Sequence, residues 1–358
     1  MFSSLSDIGK VAVFYRFVIV VILSFLFAAC TRPSSAPTAG LRSIEVATPG
    51  RETPISVSLW YPTNEGGSPN EVGGNKVFKG VPVNQDAVIA AGEFPIVLLA
   101  HGGLRAAPHR SGWIASHLVR RGFIVAEPHP PQLGPKDAPA VLAEAWLRPS
   151  DLSATLAAIE SDPILKAHIK EDRVGVLGFL LGGTSALTLA GAEIDPERYA
   201  KMCDGQATIS MDCLWFSEHG ADLHEADIKR LTHSSYNRKV KVAIAIDPEL
   251  NTVFTPASLR NISIPVTIIN LGQPDTISPG LNASSLEGLI PHVKYETVPD
   301  ATQYSSFSEC TSKGALILQS EGDNEAICAD GGERPRAEIH RQLAEMIENT
   351  LVQHLSNN

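Results

Sequence analysis

Short apolar runs recur along the chain, each closed by glycine, proline or a polar residue. Residues 55–61 alternate apolar and polar and stop at Pro62, the pattern of a half-buried strand. Residues 94–100 form a continuous apolar run instead, as strands buried on both faces do, and 123–126, 174–177, 240–246 and 266–271 read as further, mostly apolar strands. Residues 293–298 close the series and run into Pro299. Between the runs lie segments of helical period. Trp113, Ile114, Leu118 and Val119 share a face ahead of Gly122; residues 149–159 and 184–190 read as helices; Ile339, Leu343, Met346, Ile347, Thr350 and Leu351 line one side of 335–355. Residues 63–93, rich in Gly and Asn, read as a surface excursion with little regular structure. Strands alternating with helices predict an α/β domain: a mostly parallel central sheet with helices on both faces. In such sheets the ligand site lies beyond the carboxyl ends of the strands. Those ends carry His101, His129, Leu180, Asp247, Asp275 and Gln303.

The first residues follow a different rule. Lys10 and Arg16 precede an apolar stretch, 17–29, and Cys30 follows directly, which is the layout of a secretory signal. The stretch falls short of the roughly 20 residues that a membrane span takes. Residues 26–30, Leu-Phe-Ala-Ala-Cys, resemble the bacterial lipoprotein signal, in which the cysteine is lipidated and becomes the mature N-terminus. The expected organisation is a signal over 1–29, a lipidated Cys30 with a Pro/Ser/Ala tether to residue 40, and one domain over 41–358. The protein is then exported and held through its lipid to the periplasmic side of the cell envelope, at the outer membrane. Export leaves Cys203, Cys213, Cys310 and Cys328 in an oxidising compartment. Cys203–Cys213 and Cys310–Cys328 close the shortest loops and are the expected disulfides.

Composition narrows the function classes. A hydrophobic fraction of 44% with 19% charged residues indicates a globular chain, and 358 residues suit one large domain. A net charge of −10 without a basic cluster excludes a nucleic-acid partner.

The chain is organised around Gly178-Phe179-Leu180-Leu181-Gly182, set between an apolar strand and a helix. Strand, glycine-flanked turn and helix are the context of the G-x-S-x-G elbow, which lifts a catalytic serine clear of the backbone. Here the central residue is leucine. Together with 77–83, 94–103, 127–130, Arg148-Pro-Ser-Asp151, 172–187, 245–248 and 341–355, this segment resembles the α/β-hydrolase family. The likeness is to its dienelactone-hydrolase-like and platelet-activating-factor-acetylhydrolase-like branch, and it covers nearly everything after residue 41. It implies an α/β-hydrolase fold and a triad of serine, acid and histidine in that chain order. Leu180 stands at the serine position and Gln303 at the histidine position. The acid is Asp247, one strand after the elbow, or Asp275, two strands after it, with Asp247 preferred. The oxyanion hole needs only backbone N–H groups, which Leu181 and the Gly103–Leu104 segment supply whatever their side chains.

Other chemistries are weaker. Ser185 lies within the helix after the elbow, and Ser305 and Ser306 lack an adjoining base. His101 and His129 match positions that the family keeps beside an intact triad, which implies pocket or structural roles. A metal set of His101, His129 and Glu127 is conceivable from the residue types, but no metal and no cofactor is assigned. Gly178-x-x-x-Gly182-Gly183 lacks the Lys-Ser/Thr of a phosphate loop. The expected function is a lipid-anchored protein with a degenerate triad that binds an acyl or ester-like small molecule. The alternative is an ester hydrolase with a non-standard nucleophile or a metal-bound water. The sequence names no protein partner.

Overall fold

The computed structural model describes residues 38–103, 107–204, 211–322 and 326–356. Cys30 and the whole of 1–37 lie outside the described residues, as does Leu104. Ten strands form one sheet in the order β10-β9-β8-β7-β5-β6-β2-β1-β4-β3. They are β1 (Thr38–Val46), β2 (Ile55–Thr63), β3 (Ser68–Val72), β4 (Val81–Gln85), β5 (Phe94–Ala100), β6 (Ile124–His129), β7 (Ile169–Phe179), β8 (Val240–Ile246), β9 (Val266–Leu271) and β10 (Val293–Val298). The six strands from β10 across to β6 run parallel; β2 and β1 then add antiparallel. The mostly parallel sheet is thus as the residue pattern predicts.

Two boundaries differ. The 63–93 excursion contains β3 and β4, which extend the sheet beyond β1 as an edge pair. Their weak apolar content reflects that place, since an edge ribbon exposed to solvent needs no buried face. The first strand begins at Thr38, inside the expected tether, because β1 pairs with β2 along its whole length, from Thr38 opposite Thr63 to Val46 opposite Ile55.

Four longer helices cover the sheet: α1 (Gly112–Arg120), α2 (Glu144–Ser161), α3 (Leu181–Ala190) and α4 (Arg336–Leu351). The period-2 alternation of the strands sorts the core between them. Ile96, Leu98, Val174, Val176, Ala243 and Ala245 pack with α2 and α3 on one face. Val97, Leu99, Leu177, Phe179, Ile244 and Ile246 pack with α1 and α4 on the other. Both faces of β5, β7 and β8 are therefore buried, which is why these strands read as uninterrupted apolar runs. Both expected disulfides are present, Cys203–Cys213 and Cys310–Cys328, with Cα atoms 5.3 and 5.7 Å apart. Among the described residues no helix is long and apolar enough to cross a membrane.

Candidate functional site

The elbow sits where β7 meets α3. Leu180 has φ 53° and ψ −122°, a left-handed backbone that a branched side chain adopts only when its surroundings force it. The forcing contacts are close ones. A Cβ on Gly178 would lie 1.9 Å from the Gly182 carbonyl oxygen, and one on Gly182 would lie 2.0 Å from that of Ala100. The Leu180 N–H donates to the Ile246 carbonyl at 2.9 Å, and its own carbonyl accepts from Thr184 and Glu249. The Thr184 hydroxyl donates in turn to the Glu249 carbonyl. The backbone apparatus of a nucleophile elbow is complete, and it presents a leucine.

The Leu180 side chain is buried and joins Ile277, Leu281 and Phe307 in an apolar cluster separate from the two main cores. Ile277 and Leu281 come from the loop after β9, and Phe307 follows the turn Gln303–Ser306 after β10. Two loops at the carboxyl edge of the sheet, after β9 and after β10, thus close around the Leu180 side chain. The signal for these partners was absent from any one segment, since they come from two separate irregular loops.

Asp247 also has a left-handed backbone, φ 44°. Its Oδ1 accepts from Asn270 Nδ2 at 2.7 Å and from the Leu271 N–H at 2.8 Å. Asn270 is fixed by the Leu281 carbonyl, the Ala283 N–H and the Tyr295 hydroxyl. The other oxygen, Oδ2, is buried with no hydrogen-bond partner among the described residues. Burial pushes this carboxyl up to about 7, against the pull of its two hydrogen bonds. Asp275 lies instead on the exposed turn after Gly272. Of the two acids, Asp247 has the buried and oriented setting that a triad acid requires.

Gln303, expected at the histidine position, begins the turn after β10 and is half-buried. That turn is held rigidly from behind. The Ser305 hydroxyl donates to Asp330 at 2.5 Å, His340 Nε2 donates to the Ser305 carbonyl at 2.9 Å, and Trp113 Nε1 donates to the Ser306 carbonyl at 3.0 Å. The His340 ring stacks on Trp113 with centroids 3.9 Å apart. Burial holds His340 down to about 4, so it is neutral and structural at ordinary pH. The serines weighed as substitutes are occupied as well: Ser185 donates to the Leu181 carbonyl and Ser306 to the Gln303 carbonyl, and Ser185, Ser305 and Ser306 are all buried.

The oxyanion side is set by a residue that pattern reading passed over. Arg148, on α2, donates to the carbonyls of His101 and Gly103, each at 3.1 Å. It is anchored by Glu144 at 2.9 Å, which with Asp151 also holds the buried Arg51. The cluster balances two guanidinium groups with two carboxylates, and it fixes the 101–103 loop beside the elbow. A Cβ on Gly102 would lie 2.2 Å from that of Leu180, so loop and elbow are in direct contact. The Leu181 N–H heads α3 and is among the donors that a helix leaves unpaired in its first turn. His101 donates from Nδ1 to the Gly102 carbonyl at 2.7 Å, and burial lowers it to about 4. Its Nε2 is left as a buried acceptor without a partner among the described residues, with the Phe179 and Phe307 rings 5.8 and 5.4 Å away.

His129, at the end of β6, is not beside His101. Its Nε2 is 2.8 Å from the Ser58 hydroxyl, and its ring lies 5.0 Å from that of His109. The metal set conceived from His101, His129 and Glu127 is therefore not assembled. His101 follows β5 and lies beside Phe179, next to the elbow, whereas it is His109 whose ring meets His129 of β6.

Solved structures share this architecture. A ferulic acid esterase from Streptomyces cinnamoneus is similar with a TM-score of 0.58 at 16% identity, over 92% of this chain and 93% of that one. A dienelactone hydrolase from Anabaena variabilis aligns over 89% of this chain and 99% of its own at 15% identity, with a TM-score of 0.47, too distant to bear on the site. No family model and no curated protein sequence matches the chain. Strand order, elbow and likeness together define an α/β-hydrolase fold.

Proposed function

We propose that this chain is a non-catalytic binding protein of the dienelactone-hydrolase-like and acetylhydrolase-like kind, exported and anchored to the membrane through a lipid on Cys30. The observation that carries the reading is Leu180: it keeps the backbone of an elbow and offers no nucleophilic atom. Gln303 stands where a histidine would remove the proton and protonate the leaving group. Leu180, Ile277, Leu281 and Phe307 pack into an apolar cluster that suits an acyl group inserted among them, and the unpartnered His101 Nε2 suits one hydroxyl or N–H donor on the same ligand. The leading ligand class is therefore an acyl or ester-like small molecule.

Two measurements test this. Purified protein should neither turn over short-chain nitrophenyl esters above background nor react at serine with a fluorophosphonate; turnover with one labelled serine would overthrow the non-catalytic reading. Cys30→Ala should release the protein from membranes, because a single weak contact does not anchor a protein that several acyl chains hold at about 0.8 kcal/mol per buried methylene. A variant that still fractionates with membranes would remove the lipid from the proposal.

A further inference from the structure

Glu127 is 2% exposed, and among the described residues no Lys or Arg pairs with its carboxylate. Trp60 Nε1 donates to its Oε2 at 3.2 Å, a neutral donor for what would be a buried charge. Two imidazoles, of His109 and His129, lie beside the carboxylate. His109 Nδ1 is 3.9 Å from Oε2, and it is buried without a hydrogen-bond partner among the described residues. A direct ion pair would close to about 2.7–2.9 Å, so at this spacing neither atom satisfies the other. The His129 ring stands at 71° to that of His109, and the Ser58 hydroxyl fixes its Nε2, leaving the other ring nitrogen for a further partner. One ligand atom from each of His109, Glu127 and His129 lies within 4.8 Å of the other two. His109 itself is held at φ 64°, a left-handed backbone that turns its ring toward this corner.

We propose that His109, Glu127 and His129 form a binding site for a divalent transition metal of the zinc type. Two imidazoles and one carboxylate are a set that zinc accepts, leaving a fourth position open to water or a ligand. Ligand atoms on a tetrahedral zinc sit about 3.3 Å apart, given bonds of about 2.0–2.1 Å, so small rotations about the side chains close the present corner. The hydrogen bond from Trp60 to Glu127, and one from the His129 Nε2–H to the Ser58 hydroxyl oxygen, are the outer contacts that orient ligands in such sites. The cation would neutralise Glu127 and fasten the β5–α1 loop, which carries Gly103 at its other end, to the end of β6. The proposal stands on its own and does not depend on whether the elbow is catalytic.

The full-length protein, stripped with a chelator and then titrated with Zn2+ against a chromophoric competitor, should bind one equivalent. Co2+ in its place should give the visible absorption of a tetrahedral site. His109→Asn, which tolerates the left-handed backbone, and Glu127→Gln, which still accepts from Trp60, should each weaken Zn2+ binding by at least about 10–100-fold, the loss seen when groups that merely orient a ligand are removed. Zn2+ should raise the unfolding temperature of the parent and of neither variant. His224→Ala, at the exposed His224–Asp204 pair, should change nothing. Absence of stoichiometric binding by the parent, equal affinity in parent and both variants, or loss of binding with His224→Ala would overturn the site. Should His109→Asn fail to fold, Glu127→Gln decides alone.

Discussion

Replacing Asp247 with asparagine probes the buried carboxyl that the proposed reading makes the acid of a degenerate triad. The folded protein holds this carboxyl at about 7, raised by burial from an ordinary value of 3.8. The folded state therefore binds the proton more tightly than the unfolded chain does. Between those two values the unfolded carboxyl is ionised and the folded one is not, so stability falls as pH rises. The slope is about 1.4 kcal/mol per pH unit; from pH 5 to 8 the loss is about 3 kcal/mol, most of it complete by pH 7. Asparagine keeps the oxygen that accepts from Asn270 and Leu271 and removes the charge. Its amide then takes the place of Oδ2, where no partner waits, at a pH-independent cost of about 1–3 kcal/mol. Asp247→Asn should thus be less stable than the parent at pH 5 and should recover about 3 kcal/mol relative to it by pH 8. Glu127, raised in the same direction, is common to both proteins and cancels in the difference. Urea unfolding of the disulfide-intact proteins at pH 5, 6, 7 and 8, extrapolated linearly to water, measures it. Parallel pH profiles in parent and variant would refute the argument that Asp247 is a buried carboxylate left without its cation.

Rebuilding the triad gives a second test. Leu180→Ser or Gln303→His alone should stay inactive, because triad members act as a unit and losing either serine or histidine costs on the order of 10⁶ in turnover. The double variant should show ester hydrolysis and fluorophosphonate labelling above both singles; equal activity in all three would argue against Gln303 as the histidine position. Replacing Cys310 and Cys328 together by alanine should destabilise the protein by about 3 kcal/mol in thermal or urea unfolding. The disulfide closes a loop of sequence separation 18 against the turn that carries Gln303. No loss of stability would mean that the Arg336 contacts to Ser308, Ile327 and Ala329 hold that loop unaided.

Local pattern was enough for the sheet and its helices. Strands β5, β8 and β9 and the second half of β7, from Val174, are buried on both faces, so most of their residues are apolar and each run stands out without reference to any other. The elbow was equally legible, because glycine at 178 and 182 answers to contacts within a few residues or with the neighbouring strand. The expected cysteine pairs closed short loops, a proximity that sequence separation already measures. The outer pair β3 and β4 was not legible, since β3 faces solvent along its length and β4 buries only Val83.

The site itself was a matter of tertiary structure. That Leu180 meets Ile277, Leu281 and Phe307 depends on loops after three different strands converging at one edge. The buried state of Asp247 and the exposed state of Asp275 follow from which strand end faces the core, and no spacing along the chain reports it. Arg148 reads as one more polar residue on a helix until its fork is seen on the carbonyls of His101 and Gly103. The sequence put His101, His129 and Glu127 together by residue type alone. The structure parts them, with His101 beside Phe179 and Phe307 and His109, at φ 64°, in its place with Glu127 and His129. Residue identity determines what chemistry a chain can hold, and packing decides which of those residues meet.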